Sequence, residues 1–523
     1  MKRYIVILLA MFGICFSSCS LQEDPNYFVD DTQYYQNFSQ CRIAVNSVYK
    51  RLNALYDFKM FTLTEAHSDV FYEPAPTVTE ARLELSPAQP GFGEDIWKYC
   101  YEMVMYSNGV LARVAEAPIS DEQKLFLMSE TATMRAFYYY LLTSLFNDVP
   151  FYTMEIANAR DMAVVEKLGR MSAVDTRTYL INELNDYIAQ MQVSDKAGVN
   201  PGGTNYMIKS SEVPENRVGA SVALMLVAKM AMWNAAKDSV QTPDYWYNVA
   251  ITALETLEGI YGKLSQYPLE DIMFRHKNTP ESIFEIQHTY TSGGLEYVKN
   301  LAAIMTPYRS ESNGKIYWDG LELDIFTEYT TSWTPARLNL IFCREIQPVK
   351  GTDARAALNM AIEYDGKQFN AIKNSAAPYP GPKFWCPNMY MAKDFNNYTV
   401  FRFADVVLML SECYYHLGNR DKSISYLNQV RTRAGLEACE FKTDKRLFRD
   451  IQDERARELC GEFQRKFDLV RWGVWYQWTK GYSNYNKLVE NIRPCHEYLP
   501  IPDKQVKASN GCLDNKEYNK YGM

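Results

Sequence analysis

The sequence predicts a mostly α-helical protein in which paired helices form a scaffold and two loop-rich insertions interrupt it. Three observations lead there. Apolar residues recur at steps of three and four through several long segments, with capping residues at their ends. Prolines gather instead in two stretches without that period, 66–96 and 262–400. The chain has 523 residues, 47% hydrophobic and 23% charged, which supplies a core and excludes a disordered chain.

The N-terminus reads as an address. Lys2 and Arg3 precede an apolar run from Tyr4 to Phe16, shorter than the roughly 20 residues a bilayer-spanning helix needs. Phe16-Ser17-Ser18-Cys19 resembles a bacterial lipobox, in which cleavage leaves a lipidated cysteine. Residues 1–18 are therefore expected as a lipoprotein signal peptide, and a lipid on Cys19 as the membrane anchor. Residues 19–30 form a polar tether, whose Glu23-Asp24 resembles the surface-export signal of Bacteroidetes lipoproteins. A single domain, 31–523, follows.

Within that domain, segments 38–56 and 97–116 carry helical periodicity. Ser120 and Gln123 form a capping box that opens the next helix, which runs through Leu125, Met128, Ala132, Arg135, Tyr138, Leu142 and Leu145. Asn147-Asp148-Val149-Pro150 closes it. Segments 172–192, 217–237 and 244–260 continue the pattern, the second rich in Ala and Met. Val406, Met409, Cys413 and Leu417 share one helix face ahead of Gly418, and a second helix runs from Asp421 to near Gly435. That pair resembles a tetratricopeptide unit, and such pairs stack into a right-handed scaffold.

Composition narrows the chemistry. A net charge of −8 excludes a broad phosphate-binding surface, so no nucleic acid partner is expected. The 11 cysteines form no C-x-x-C and the 5 histidines no H-E-x-x-H, so no metal site or cofactor is expected. The 39 Tyr, 25 Phe and 9 Trp suit a protein that presents stacking surfaces. Glu454, Glu458 and Glu462 are available as paired carboxylates, but they lie among arginines, which lower the pKa a general acid needs raised. Asp453–Arg457, Glu462–Lys466 and Asp468–Arg471 have the spacing of helical ion pairs.

Four motifs in order resemble the SusD/RagB family of outer-membrane nutrient-binding lipoproteins. They are Arg135-Ala136-Phe137-Tyr138-Tyr139 running to Asn147-Asp148-Val149-Pro150; Arg402-Phe403-Ala404-Asp405-Val406 running to Leu427-Asn428 and Arg431-Thr432-Arg433-Ala434-Gly435; Glu454-Arg455 through Glu462 and Arg465 to Arg471-Trp472-Gly473; and Leu499-Pro500-Ile501-Pro502. Asn147 and Phe463 stand where the family pattern has glycine. The resemblance implies a SusD-like fold over nearly the whole chain. It implies a non-enzymatic, surface-exposed lipoprotein of the outer membrane that captures oligosaccharides for a SusC-type TonB-dependent transporter. A peptide-binding RagB-like role, or a surface glycoside hydrolase, are the alternatives.

In that family ligands meet the variable loops, which here are the aromatic insertions. A sugar offers an apolar C–H face to a ring and hydroxyls to polar groups. The ligand-binding candidates are therefore Asp69 and Tyr72 in the first insertion, and Tyr308, Arg309, Tyr317, Trp318, Asp319, Trp333 and Trp385 in the second. Phe71, Phe92 and Tyr390 accompany them. Trp97, Tyr101 and Asn108, and the stripe Trp472, Trp475 and Trp478, are expected as packing.

Overall fold

A computed structural model describes residues 34–289, 301–306, 310–312, 315–318, 321–322, 336–348, 351–364, 367–368, 378–386 and 393–523. Its scaffold is a row of helices: α1 (Phe92–Glu116), α2 (Asp121–Phe146), α3 (Ala173–Ala197), α4 (Ala220–Lys237), α5 (Pro243–Tyr261), α6 (Phe403–His416), α7 (Arg420–Arg433), α8 (Asp444–Glu458) and α9 (Arg465–Arg471). From α1 to α7 each helix packs on the next. The mostly helical, paired architecture is the one the periodicity predicts.

Local chemistry sets the helix ends. α2 opens on the expected capping box: Gln123 N–H donates to the Ser120 hydroxyl and Ser120 N–H to the Gln123 side chain. Thr242 caps α5 by accepting from Tyr245 N–H, with Pro243 at the first helical position. Gly418 and Gly435, at φ +79° and +77°, follow α6 and α7. Asn147 ends α2 at φ +63° and ψ −116°, so the positive φ is met but the conformation is not the left-handed helical one.

Small residues explain how α4 can lie in the middle. Its Ala and Met side chains let α3 and α5 pack on it from two sides, and every residue from Ala220 to Ala235 is buried. Aromatics of α2 fill the layer beneath. Phe137 meets Phe284 edge-on at 5.0 Å and stacks on Tyr56 at 6.1 Å.

Strands are few, and the pairs β1–β6 and β2–β7 join distant parts: β1 (Phe71–Tyr72), β2 (Ser282–Ile286), β3 (Ser310–Ser312), β4 (Lys315–Trp318), β5 (Leu321–Glu322), β6 (Arg337–Leu338) and β7 (Tyr398–Arg402). β2 pairs antiparallel with β7, Ile286 opposite Tyr398 and Ser282 opposite Arg402. The second insertion therefore leaves and re-enters the scaffold at one place. β1 pairs antiparallel with β6, Tyr72 opposite Arg337, which ties the first insertion to the second.

Two of the three expected helical ion pairs do not form. Asp453 faces Arg449 one turn back, at 2.8 Å, while Arg457 reaches Glu454 at 2.5 Å. Glu462 lies in the turn between α8 and α9, so no helical step links it to Lys466. It meets Lys383 at 2.6 Å and Arg402 at 2.9 Å, and Lys466 donates to the carbonyls of Leu63 and His496. Asp468–Arg471 forms as expected, at 2.9 Å. Within the same turn Phe463 sits at φ +62°, buried edge-on against Tyr56 at 5.2 Å. A bulky residue in that region is strained, and the aromatic contacts offset the strain.

Candidate functional site

The charged residues of the sequence motifs lie inside the scaffold. Glu454 meets Arg355 at 2.7 Å and Arg457 at 2.5 Å. Glu458 meets Arg355 at 2.7 Å and Arg402 at 2.6 Å, and also accepts from Arg433. Burial pushes the Glu458 carboxyl up, but Arg433, Arg402 and Arg355 outweigh it and hold it well below the usual carboxylate range. Burial is likewise outweighed at Glu454, by Arg355 and Arg457. A second buried group joins Asp405 to Lys229 at 2.5 Å and to Arg455 at 2.9 Å, and Asp468 to Arg455 at 2.7 Å. Carboxylates held ionised and enclosed on all sides do not serve as general acids. They are the scaffold's internal ties.

Two ligand-binding expectations need correction. Asp69 is fully buried, and its two oxygens accept from Arg465 Nε and Nη2, both at 2.7 Å. That paired geometry spends the carboxylate on joining the first insertion to α9. Trp385 is fully buried too, with its indole N–H donating to Pro380 O at 3.1 Å. Neither offers a face to a ligand. Phe71 is also core, and Phe92 packs on Phe58 at 5.5 Å.

Cys19, Tyr308, Arg309, Asp319, Trp333 and Tyr390 lie outside the described residues. Tyr317 and Trp318 fall on β4, where the backbone register is described. Tyr317 pairs with Ser310 of β3 and Glu322 of β5, and Trp318 pairs with Leu321. This stretch, read from sequence as irregular, is a three-stranded antiparallel meander.

Tyr72 has a different setting from Asp69. It is partly buried and stands opposite Arg337 across the β1–β6 pair. The Arg337 guanidinium lies over the ring of Tyr379, 3.9 Å from its centroid, and Arg337 Nη1 donates to Ala336 O at 2.8 Å. Tyr379 is partly buried as well, between Pro378 and Pro380. Backbone bonds fix the group: Leu338 N–H donates to Pro378 O at 3.2 Å and Ala336 N–H to Ile304 O at 3.2 Å. Burial pushes the Tyr72 hydroxyl up and Arg337 opposes it, leaving the phenol protonated at neutral pH. The group thus combines two ring surfaces, a hydroxyl donor and a planar cation where both insertions meet. Its chemistry is that of stacking on an apolar face while bonding polar substituents.

The sequence named Tyr72 as a candidate and did not name Arg337 and Tyr379, its neighbours in this group. The Pro378-Tyr379-Pro380 triplet was a usable signal, since flanking prolines hold an aromatic on extended backbone. Arg337 carried none, because its partner lies far away along the chain. The helix aromatics are packing as expected: Trp97 is buried, Tyr101 donates to Pro150 O at 2.7 Å, and Trp475 donates to His67 O at 2.8 Å. Among the described residues no group of three His, Cys, Asp or Glu side chains could hold a metal ion.

Comparisons with known proteins agree with this architecture. Residues 387–518 match the model of the SusD family, and residues 88–179 match one described as "Starch-binding associating with outer membrane". A SusD-like protein of Formosa agariphila is 26% identical, the alignment covering 98% of each chain. A SusD homologue from Bacteroides thetaiotaomicron superposes with a TM-score of 0.72 at 16% identity, covering 92% of this chain and 97% of that one. Surface glycan-binding protein A of the same species, in complex with laminarihexaose, gives a TM-score of 0.67 at 19% identity, covering 92% and 99%. The chain is thus similar to SusD-family proteins over two matched segments and shares their fold.

Proposed function

We propose that this SusD-like chain is a glycan-binding lipoprotein of the outer-membrane surface, held by a lipid on Cys19, which hands oligosaccharide to a SusC-type TonB-dependent transporter. The observation that carries the binding reading is the Tyr72–Arg337–Tyr379 group at the β1–β6 junction, fixed by backbone bonds from both insertions. Tyr308, Arg309, Tyr317, Trp318, Asp319 and Trp333 belong to the same second insertion and extend the binding surface in this reading. That a structural neighbour was solved with laminarihexaose makes β-glucans a sensible first set of probes. A binding protein also fits the carboxylates, which are consumed by arginines rather than set opposite one another in a cleft.

Affinity gels and a glycan array test this with the mature chain and the variants Tyr72→Ala, Arg337→Ala and Trp318→Ala. Retardation by at least one polysaccharide, weakened in Tyr72→Ala or Arg337→Ala, supports the site. Binding lost in Trp318→Ala alone moves the site to the β3–β5 meander. Binding to peptides and to no glycan would replace this reading with the RagB-like one. Polysaccharide turnover abolished by Glu458→Gln would revive the hydrolase.

A further inference from the structure

A separate cavity of about 210 Å³ lies in the helical scaffold, between the N-terminal helix Phe38–Val45, α2 and the segment 201–220. Phe126, Met191, Ile208, Val213 and Val218 supply apolar wall, and Arg42, Glu130, Tyr206 and Arg217 the polar part.

Its polar part is built but incomplete. Glu130 is almost wholly buried and accepts from Arg217 Nε at 2.7 Å, from Arg42 Nη1 at 3.3 Å and from the Tyr49 hydroxyl. Arg217 Nη1 donates to Asn46 Oδ1 at 2.6 Å. Arg217 Nη2 is buried with no partner, and so is the hydroxyl of Tyr206, a residue 9% exposed. An unmet buried donor is costly, so two beside one cavity call for acceptors inside it. Arg42 and Arg217 face one enclosed carboxylate, Glu130; the other acid near them, Glu215, has its side chain 70% exposed and lies 3.5 and 3.8 Å away. Counted with Glu215 the two arginines face two carboxylates, and Asp195 and Glu122 also act on the Tyr206 hydroxyl, so the two unmet donors, and not the charge balance, mark the site. Burial pushes the Tyr206 hydroxyl up, so it stands as an O–H donor.

We propose that this cavity binds a small monocarboxylate with an apolar body, its oxygens accepting from Arg217 Nη2 and the Tyr206 hydroxyl and its hydrocarbon part lying among Phe126, Met191, Ile208 and Val213. Size fits a single ring: a cavity of about 150 Å³ lined by apolar side chains takes up benzene. The site is independent of the glycan reading, since it shares no residue with the β1–β6 junction.

Saturation-transfer NMR on the full chain tests it, with benzoate and butyrate as probes and benzyl alcohol as the neutral control. Benzoate is expected to bind, benzyl alcohol about tenfold more weakly or worse, and Tyr206→Phe to weaken benzoate by about tenfold. Val213→Trp, which fills the cavity from its wall, is expected to abolish transfer. Circular dichroism melts confirm that both variants are folded. No transfer to either carboxylate at tens of millimolar overturns the proposal and leaves water as the occupant. So does benzoate binding that Tyr206→Phe and Val213→Trp leave unchanged.

Discussion

Around α6, α8 and α9 arginines are held against carboxylates in full burial, whereas at the β1–β6 junction Arg337 is held against the ring of Tyr379 and left partly open to solvent. The same side chain does opposite work in the two regions. Enclosed, its charge must be matched at once, because an unmatched ion in low dielectric is costly. At the junction, a weakly hydrated planar cation stacks on an aromatic face instead, which asks for no enclosed counter-charge. Charge in this chain therefore marks the scaffold where it is dense and buried, and marks the proposed binding surface where it is sparse and set among rings.

Breaking the buried side should have the largest effect. Arg402→Met leaves Glu281, Glu458 and Glu462 short of a shared partner. We expect a loss of about 3–5 kcal/mol, read from the guanidinium unfolding midpoint; an unchanged midpoint would show that these ties do not hold the fold.

Lys466 sharpens the point, because it is buried without a carboxylate in contact. It donates only to carbonyls, lies 5.1 Å from the Trp475 ring centroid, and has His67 and His496 for neighbours. Burial pushes its ammonium down to about 7, whereas the unfolded chain keeps the ordinary 10.5. Between about pH 7 and 9 the unfolded state therefore holds a proton that the folded state has released. Stability should rise with pH across that window, by up to about 1.4 kcal/mol per unit. Lys466→Met should flatten the slope and raise stability at pH 7. A slope identical in the two proteins would assign it elsewhere.

At the junction the expected pattern reverses. Tyr72→Ala should weaken binding of the best polysaccharide by about tenfold, near 1.4 kcal/mol, and move the melting temperature little, since the ring is only partly buried. Affinity electrophoresis beside a thermal melt separates the two effects. A large drop in melting temperature would return Tyr72 to the scaffold. The smallest change is expected at the end of α2, where Asn147→Gly relieves the positive φ and should stabilise by up to about 1 kcal/mol in chemical denaturation.

Much of the scaffold was legible because helices announce themselves locally. The Ser120–Gln123 box, the glycines after α6 and α7 and the apolar steps of α2 each act within a few residues, and each stands where periodicity put it. Ion pairs were legible only where helix spacing alone decides them, as at Asp468–Arg471. Glu462 shows the limit: one turn ends α8 and sends its carboxylate to Arg402 and Lys383, 60 and 79 positions away.

The candidate site follows the same division. The sequence by itself determined that the scaffold is helical, that two aromatic insertions interrupt it, and that Tyr72 stands in one of them. Only the tertiary structure decided that Asp69 belongs to Arg465 and Trp385 to the core, and that Arg337 and Tyr379 complete a surface with Tyr72. The physical reason is range. Periodicity and caps depend on neighbours a turn away, whereas burial and the partner of a charge depend on segments that only the folded chain brings together.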